Sequence, residues 1–141
     1  MVENENIKNR RELKSILFAD VAGYTRLMQD DDEATYKSLS ELIDLFVKGC
    51  EEFDGEILQI RGDGIFAIFN SAVNSVRFAS QTQDKVEEYN SDYPENRKIR
   101  FRIGIHYGEV HFNSTHHYGD AINIASRIEG FCDTGEVFIS S

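Results

Sequence analysis

The sequence predicts an α+β sandwich in which helices cover one face of a mainly antiparallel β-sheet. Two observations lead to this prediction. The apolar residues change period several times along the chain, from the alternation typical of strands to the spacing of three and four typical of helices. Turn residues and one polar loop separate these segments. The 141 residues suit one domain, and 40% apolar residues are enough to build a buried core.

The first half of the chain is predicted to form a strand, a helical region and a hairpin. A short apolar run in LKSILFADVAGYT indicates a strand that ends at Asp20. Apolar residues at helical spacing, Cys50 among them, predict a helix over residues 32–53. Gly55 follows that helix and can serve as its C-terminal cap. In GEILQIRGDGIFAIF, two strand-like runs flank GDG, which supplies the residues of a tight turn.

The second half alternates between helix and strand. Residues 71–89 are predicted to form a helix that buries Val73, Val76, Ala79 and Val86. KIRFRIGIHYGEV has the strict alternation of a strand, GDAINIASRIEGF has a helical stripe, and GEVFIS resembles a last strand. The predicted order is therefore β-αα-β-β-α-β-α-β, which is typical of the ferredoxin-like sandwich.

Composition and charge exclude several classes of protein. A net charge of −10 gives the chain no global reason to bind nucleic acid or an anionic membrane. No apolar run approaches the roughly 20 residues that a membrane span needs, and the charged first residues do not resemble a signal peptide. The two cysteines, Cys50 and Cys132, are expected to be thiols. We therefore expect a cytoplasmic domain that is not inserted in a membrane.

Two aspartates are candidate metal ligands. Asp20 ends the first strand and Asp63 lies at the tip of the hairpin between two glycines. If these strands are neighbours, both carboxylates meet at one edge of the sheet. Mg²⁺ is commonly held by one or two carboxylates together with substrate phosphates. The alternative is structural, because an aspartate is common after a strand and in a turn.

Three further residues suit phosphate chemistry. Asn123 and Arg127 are four positions apart and share one face of the third predicted helix, away from its apolar stripe. Such a pair can orient a sugar and stabilise charge on a phosphoryl group. Arg102 lies on the polar face of its strand and offers a further phosphate contact. The alternative for Asn123 and Arg127 is a solvated helix face, and the alternative for Arg102 is that it balances acidic neighbours.

Four motifs together carry a resemblance to a known family. They are FADVAGYT (residues 18–25), RGDGIFAIF (61–69), RIGIHYGEV (102–110) and YGDAINIASRIEG (118–130). In order and spacing they resemble the catalytic domain of class III adenylate and guanylate cyclases. The resemblance covers residues 12–141, with residues 1–11 as a lead-in. The family's domain continues with further secondary structure and a lysine that contacts the triphosphate, so we expect this chain to be truncated, the alternative being a domain that has lost this element.

The resemblance implies a fold, a reaction and a homodimer. In that family, ferredoxin-like domains dimerise and the active sites lie at the interface. A nucleoside triphosphate becomes a cyclic nucleotide when its 3′-hydroxyl attacks its own α-phosphorus and pyrophosphate leaves. Two Mg²⁺ or Mn²⁺ ions assist. Asp20 and Asp63 match the metal-binding aspartates, and the carbonyl of Val21 matches a further metal ligand.

The same resemblance implies roles for the phosphate-binding and catalytic residues. Asn123 matches the asparagine that orients the ribose, and Arg127 matches the arginine that stabilises the transition state. Both would act from the partner subunit. Arg102 and Thr25 match phosphate-binding positions.

Two positions that read the base depart from the family's usual residues. Gln59 stands where adenylate cyclases usually carry a lysine, and His116 stands where they usually carry an aspartate or threonine. The resemblance implies ATP as the substrate, because adenine is the commonest base for bacterial-looking domains of this type and a glutamine amide can both donate to and accept from it. GTP, or a pyrimidine nucleotide as in the related pyrimidine cyclases of phage defence, remains an alternative. So does a cyclase-like domain that regulates or binds nucleotide without catalysing.

Overall fold

The computed structural model describes residues 10–112, 117–118 and 137–139. Its strands are β1 (Arg10–Val21), β2 (Gly55–Arg61), β3 (Gly64–Phe69), β4 (Phe101–Phe112), β5 (His117–Tyr118) and β6 (Val137–Ile139). Its helices are α1 (Tyr24–Asp30), α2 (Asp32–Glu52) and α3 (Ala72–Asn90), with a short 3₁₀ helix at Glu95–Arg97 before β4.

The strands form one sheet in the order β2-β3-β1-β4-β5. These neighbours pair antiparallel, and β6 adds a short parallel pairing to β4. β1 pairs with β4 along its whole length, so that Asp20 lies opposite Arg102 although 82 residues separate them in sequence. The predicted α+β class with a mainly antiparallel sheet is confirmed. The two-residue strand β5 was not predicted.

The main core lies between the helices and one face of the sheet. Alternate residues of β1, among them Leu17, Ala19 and Val21, point to this side. Four phenylalanines fill the space between the layers, namely Phe46, Phe69, Phe78 and Phe101. The ring of Phe46 contacts Phe78 edge-on, with ring centroids 5.9 Å apart, and Phe101 at 4.7 Å. A smaller cluster of Ile16, Ile68 and Val110 is buried on the opposite face.

The two long helices begin at capping residues and end close to their predicted bounds. The side chain of Asp31 accepts a hydrogen bond from the Ala34 N–H at the start of α2, and Ser71 does the same for Asn74 at the start of α3. One core prediction for α3 is wrong. Val73 is 58% exposed, whereas Ala79 and Val86 are buried as predicted.

The prediction that Gly55 caps α2 is also wrong. The positive φ after the helix belongs to Asp54, at +59°, and Gly55 is the first residue of β2. Gly55 is needed there for space. A β-carbon at this position would lie 2.3 Å from the Phe69 ring and 2.7 Å from the sulfur of Cys50.

Several sequence predictions lie outside the described residues. They concern the third helix with Asn123 and Arg127, the candidate base contact His116, and Cys132. The strand predicted in GEVFIS corresponds to β6. Among the helices that the structure describes, none has the length and apolar character needed to cross a membrane.

Candidate active site

The hairpin between β2 and β3 brings Asp63 to the end of β1. Only Gly62 and Asp63 separate the two strands, and Gly62 has φ +59°, which glycine adopts without strain. The Asp63 carboxylate turns toward β1, where its Oδ2 accepts a hydrogen bond of 3.0 Å from the backbone N–H of Val21. That N–H belongs to the peptide group directly after Asp20. The structure therefore places both predicted aspartates and Val21 at one edge of the sheet.

Arg102 holds the other aspartate. Its Nε donates to Oδ1 of Asp20 and its Nη2 donates to Oδ2, each at 3.0 Å. Phe101 and Ile103 point into the helix-side core, so Arg102 between them extends from the opposite face of the sheet. The two side chains are partly buried, with 31% of Arg102 and 29% of Asp20 exposed. The alternative that Arg102 balances an acidic neighbour is thus observed, although the sequence did not indicate that this neighbour is Asp20.

A groove of about 210 Å³ opens on the same face of the sheet, beside Asp20. Two aromatic rings line it. Phe18 and Phe66 lie opposite each other on β1 and β3, and their rings stack with centroids 4.6 Å apart and planes 5° from parallel. Gln59 lies opposite Phe66 on β2 and also lines the groove, as does Arg61. The groove thus combines an apolar surface with a neutral amide, a guanidinium and a carboxylate.

A β-bulge explains how Gln59 reaches this face. The register between β2 and β3 shifts between Ile57 and Gln59, so that Leu58 is an extra residue. With regular alternation Gln59 would point toward the helices, as Ile57 does. Sequence reasoning missed the bulge. The available signal was that both Ile57 and Leu58 are apolar, which breaks the period of two.

Thr25 lies in the first turn of α1 and is exposed. The helix starts after Gly23, whose φ is +67°. A second groove, of about 460 Å³, begins at this turn and is lined by the cationic side chains of Arg26, Lys98 and Arg100. Arg100 donates two hydrogen bonds to Glu95, at 2.6 and 3.2 Å, which lowers the pKa of that carboxyl group. Sequence reasoning did not single out these cations.

The donor set fits a hard divalent cation. Asp20 and Asp63 offer carboxylate oxygens and Val21 a backbone carbonyl, which are the ligands that Mg²⁺ and Mn²⁺ prefer. Within residues 10–112, Oδ1 of Asp63 accepts no hydrogen bond, since only Oδ2 contacts the Val21 N–H. In the part of the chain that the structure describes, no three His, Cys, Asp or Glu side chains form a metal cluster of their own. Such a site would therefore need further oxygens, which a triphosphate can supply.

Two solved structures that resemble this chain are described as cyclases. The crystal structure of an adenylate/guanylate cyclase/hydrolase from Silicibacter pomeroyi matches 93% of this chain and 76% of its own, with a TM-score of 0.79 and 33% identity. The monomeric guanylyl cyclase domain of the RhoGC fusion protein from Blastocladiella emersonii matches 94% of this chain and 84% of its own, with a TM-score of 0.82. At 18% identity that second likeness shows the fold alone.

The family follows from the sequence match. The profile of the adenylate and guanylate cyclase catalytic domain matches residues 7–141, and the chain belongs to this family. Putative adenylate cyclase 3 of Rhizobium meliloti is 38% identical over an alignment of 135 residues. The match covers 93% of this chain and 22% of that protein. Adenylate cyclase 1 of the same organism is 30% identical over an alignment of 138 residues. That match covers 85% of this chain and 21% of that protein. The chain thus spans about a fifth of the length of these relatives.

Proposed function

We propose that this chain is the catalytic domain of a cytoplasmic, homodimeric nucleotidyl cyclase. It converts a nucleoside triphosphate, ATP in the first place, to the 3′,5′-cyclic nucleotide and pyrophosphate. The observation that supports this most directly is the hydrogen bond from the Val21 N–H to Asp63, because it brings Asp63 to the end of β1, where Asp20 lines an aromatic groove. The names of the two Rhizobium relatives favour adenine.

The reaction joins two atoms of one substrate. The 3′-oxygen of the ribose forms a bond to the α-phosphorus and loses its proton to water. The bond from the α-phosphorus to the bridging oxygen breaks, and pyrophosphate leaves with the electron pair. Two Mg²⁺ or Mn²⁺ ions held by Asp20, Asp63 and the Val21 carbonyl would lower the pKa of the hydroxyl and neutralise charge on the phosphates.

The chain's own side chains position the substrate. Arg102 and Thr25 bind phosphate oxygens, for which the planar guanidinium fork is suited. From the partner subunit, Asn123 orients the ribose and Arg127 stabilises the negative charge that develops on the transferred phosphoryl group. Positioning and charge stabilisation thus account for most of the protein's contribution.

Base selection rests on Gln59 and His116. The bulge turns Gln59 into the groove beside the stacked phenylalanines, where a base can lie against an apolar surface. Its amide donates and accepts hydrogen bonds, which suits the edge of adenine. Guanine and pyrimidine bases are the alternatives that the substrate test separates.

Turnover with each nucleotide tests the proposal. The chain is incubated with Mn²⁺ and ATP, GTP, CTP or UTP separately, and cyclic products are identified by mass. We expect cyclic AMP to dominate, and we expect Asp63→Asn to abolish it while the domain stays folded. Full turnover by Asp63→Asn would contradict the metal assignment. If the folded dimer formed no product from any of the four nucleotides, a regulatory or nucleotide-binding domain would replace the enzyme as the proposed function.

A further inference from the structure

An arginine binds both oxygens of one carboxylate at the candidate active site. Both oxygens of Asp20 accept hydrogen bonds from Arg102, each at 3.0 Å, across directly opposed positions of β1 and β4. A planar guanidinium that binds a carboxylate with two parallel hydrogen bonds is among the strongest polar contacts in proteins. Because about 70% of each side chain is shielded from solvent, this pair is less screened than an ordinary surface ion pair.

A divalent cation and Arg102 therefore compete for Asp20. Each carboxylate oxygen has a second lone pair, so a cation can approach without removing both hydrogen bonds. Like charges nevertheless repel strongly over such short distances in a partly buried site. Coordination of Asp20 is thus opposed by the guanidinium until that group moves away.

The nucleotide offers the displaced guanidinium a new partner. Phosphate oxygens match the guanidinium fork as well as a carboxylate does. They are expected at this edge of the sheet, because they complete the coordination of a cation on Asp20 and Asp63. A short movement of one side chain then exchanges one bidentate anion for another.

We propose that Arg102 couples metal binding to nucleotide binding. Arg102 neutralises Asp20 and weakens the binding of a cation that arrives alone. When cation and triphosphate bind together, the cation takes Asp20 and the arginine transfers to the phosphates. This inference rests on the proposed function and assigns Arg102 a second role beside phosphate binding. This exchange of partners by Arg102 makes the nucleotide and the cation bind cooperatively, so that each raises the affinity for the other by the same factor.

The coupling predicts opposite effects on the two ligands. In Arg102→Gln, Asp20 no longer has a cationic partner at this position, so Mn²⁺ alone should bind roughly tenfold more tightly, the scale of one charge-assisted hydrogen bond. The nucleotide should bind more weakly to this variant. The ratio of Mn²⁺ affinities with and without nucleotide should fall by roughly tenfold or more relative to the wild type. A purely structural role for Arg102 would weaken both ligands together.

Titration of Mn²⁺ followed by electron paramagnetic resonance measures these affinities without turnover. The titration is run with and without 3′-deoxy-ATP, which lacks the attacking hydroxyl. Arg100→Gln is the matched control, because Arg100 lies two residues away and pairs with Glu95 instead. We expect this control to bind Mn²⁺ like the wild type. Arg102→Lys keeps the charge without the fork and should fall between wild type and Arg102→Gln. It also provides the test if the glutamine variant unfolds.

The outcomes separate this inference from the proposed function. Asp63→Asn should lose Mn²⁺ binding if the metal site is correctly assigned. If it does, and Arg102→Gln binds Mn²⁺ no more tightly than wild type, the coupling role is wrong and the metal site stands. If Asp63→Asn and wild type bind Mn²⁺ equally in the presence of 3′-deoxy-ATP, or neither binds it under that condition, the metal site and the coupling are both wrong. Tighter Mn²⁺ binding with a reduced nucleotide effect supports the coupling.

Discussion

At the scale of single residues, the position of Asp63 depends on a turn of two residues. Gly62 takes the positive φ, and Asp63 turns its carboxylate onto the backbone N–H of Val21. A carboxylate on a hairpin tip would otherwise have several orientations. The hydrogen bond to β1 selects one of them. It leaves the strand pairing intact, because the N–H lies at the end of the strand.

A side chain at position 62 should therefore destabilise the domain by backbone strain alone. A β-carbon there would meet no atom within 4 Å, but φ is +59°. We expect Gly62→Ala to lower the free energy of unfolding by roughly 1–3 kcal/mol in urea titrations. Gly64→Ala is the control in the same hairpin. Its φ is not in the left-handed region, and its nearest contact would be 3.4 Å, so its loss should be smaller. Equal losses would argue against strain.

The thiol of Cys50 should make stability depend on pH in the alkaline range. Burial, with a smaller contribution from Glu51, raises its pKa from 9.0 to about 11. The unfolded chain then loses the thiol proton first. The contribution of the protonated thiol to the free energy of unfolding is complete below pH 9. It is lost as the pH rises toward 11, by at most about 1.4 kcal/mol per pH unit.

Urea titrations of wild type and Cys50→Ala between pH 7 and 11, with a reductant present, measure this contribution. Absolute stabilities will differ because the alanine leaves a cavity, so the slopes are compared. We expect the wild type to lose stability more steeply than the variant above pH 9. Tyr89, whose pKa is also raised by burial and by Glu41, contributes to both slopes equally. Parallel slopes would show that the Cys50 thiol does not titrate as described.

At the scale of elements, a buried asparagine attaches α3 to the strand that carries Arg102. Asn90 is 1% exposed, and its amide donates to the carbonyl of Ile99 at 2.8 Å and accepts from the Ile99 N–H at 3.1 Å. The Asn90 side chain thus gives Ile99, just before β4, the two backbone hydrogen bonds that a neighbouring strand would otherwise provide. Asn90→Ala would leave both backbone groups of Ile99 buried without these partners.

We expect Asn90→Ala to reduce the free energy of unfolding by roughly 2–4 kcal/mol, measured by urea titration. Gln81→Ala on the exposed face of the same helix is the control and should change it by less than about 0.5 kcal/mol. A small loss in Asn90→Ala would mean that water or another side chain satisfies Ile99.

Helices were easier to predict than their buried faces. The spacing of apolar residues located both long helices to within one or two residues at each end. The error at Val73 arose because the buried stripe of α3 includes polar residues. Ser75 bonds to Ser15 at 2.6 Å, and Gln83 donates to the carbonyl of Phe101 at 3.0 Å. A pattern read from apolar residues alone cannot show a stripe that is satisfied by hydrogen bonds.

The positions of the two aspartates were predictable, and their contacts were not. That Asp20 and Asp63 lie at the same edge of the sheet followed from a strand end and a neighbouring hairpin tip. The pairing of Asp20 with Arg102 depends on the register of β1 against β4, which joins residues far apart in sequence. The orientation of Gln59 depends on a bulge. Register depends on pairing across the whole sheet, so a local pattern does not encode it, and the only local sign of the bulge was the adjacent apolar pair Ile57 and Leu58.

At the scale of the whole molecule, the proposed active site is divided between two chains. Asp20 and Asp63 contribute the metal-binding half, and Asn123 and Arg127 would reach it from the partner subunit. A symmetric dimer then contains two equivalent sites, each with one half from either chain. Mixed dimers of two inactive variants distinguish this arrangement from a site within one chain.

We expect Asp63→Asn and Arg127→Ala to be inactive separately and to recover activity when mixed. In a mixed dimer, both substitutions fall in one site and the other site is intact, so random exchange should restore about a quarter of wild-type turnover. Asp63→Asn mixed with Asp20→Asn is the matched control. Both changes lie in the metal-binding half, so neither site is intact and no activity should return. Native mass spectrometry confirms that mixed dimers form. If they form and the first mixture stays inactive, the catalytic arginine and the metal ligands belong to the same chain.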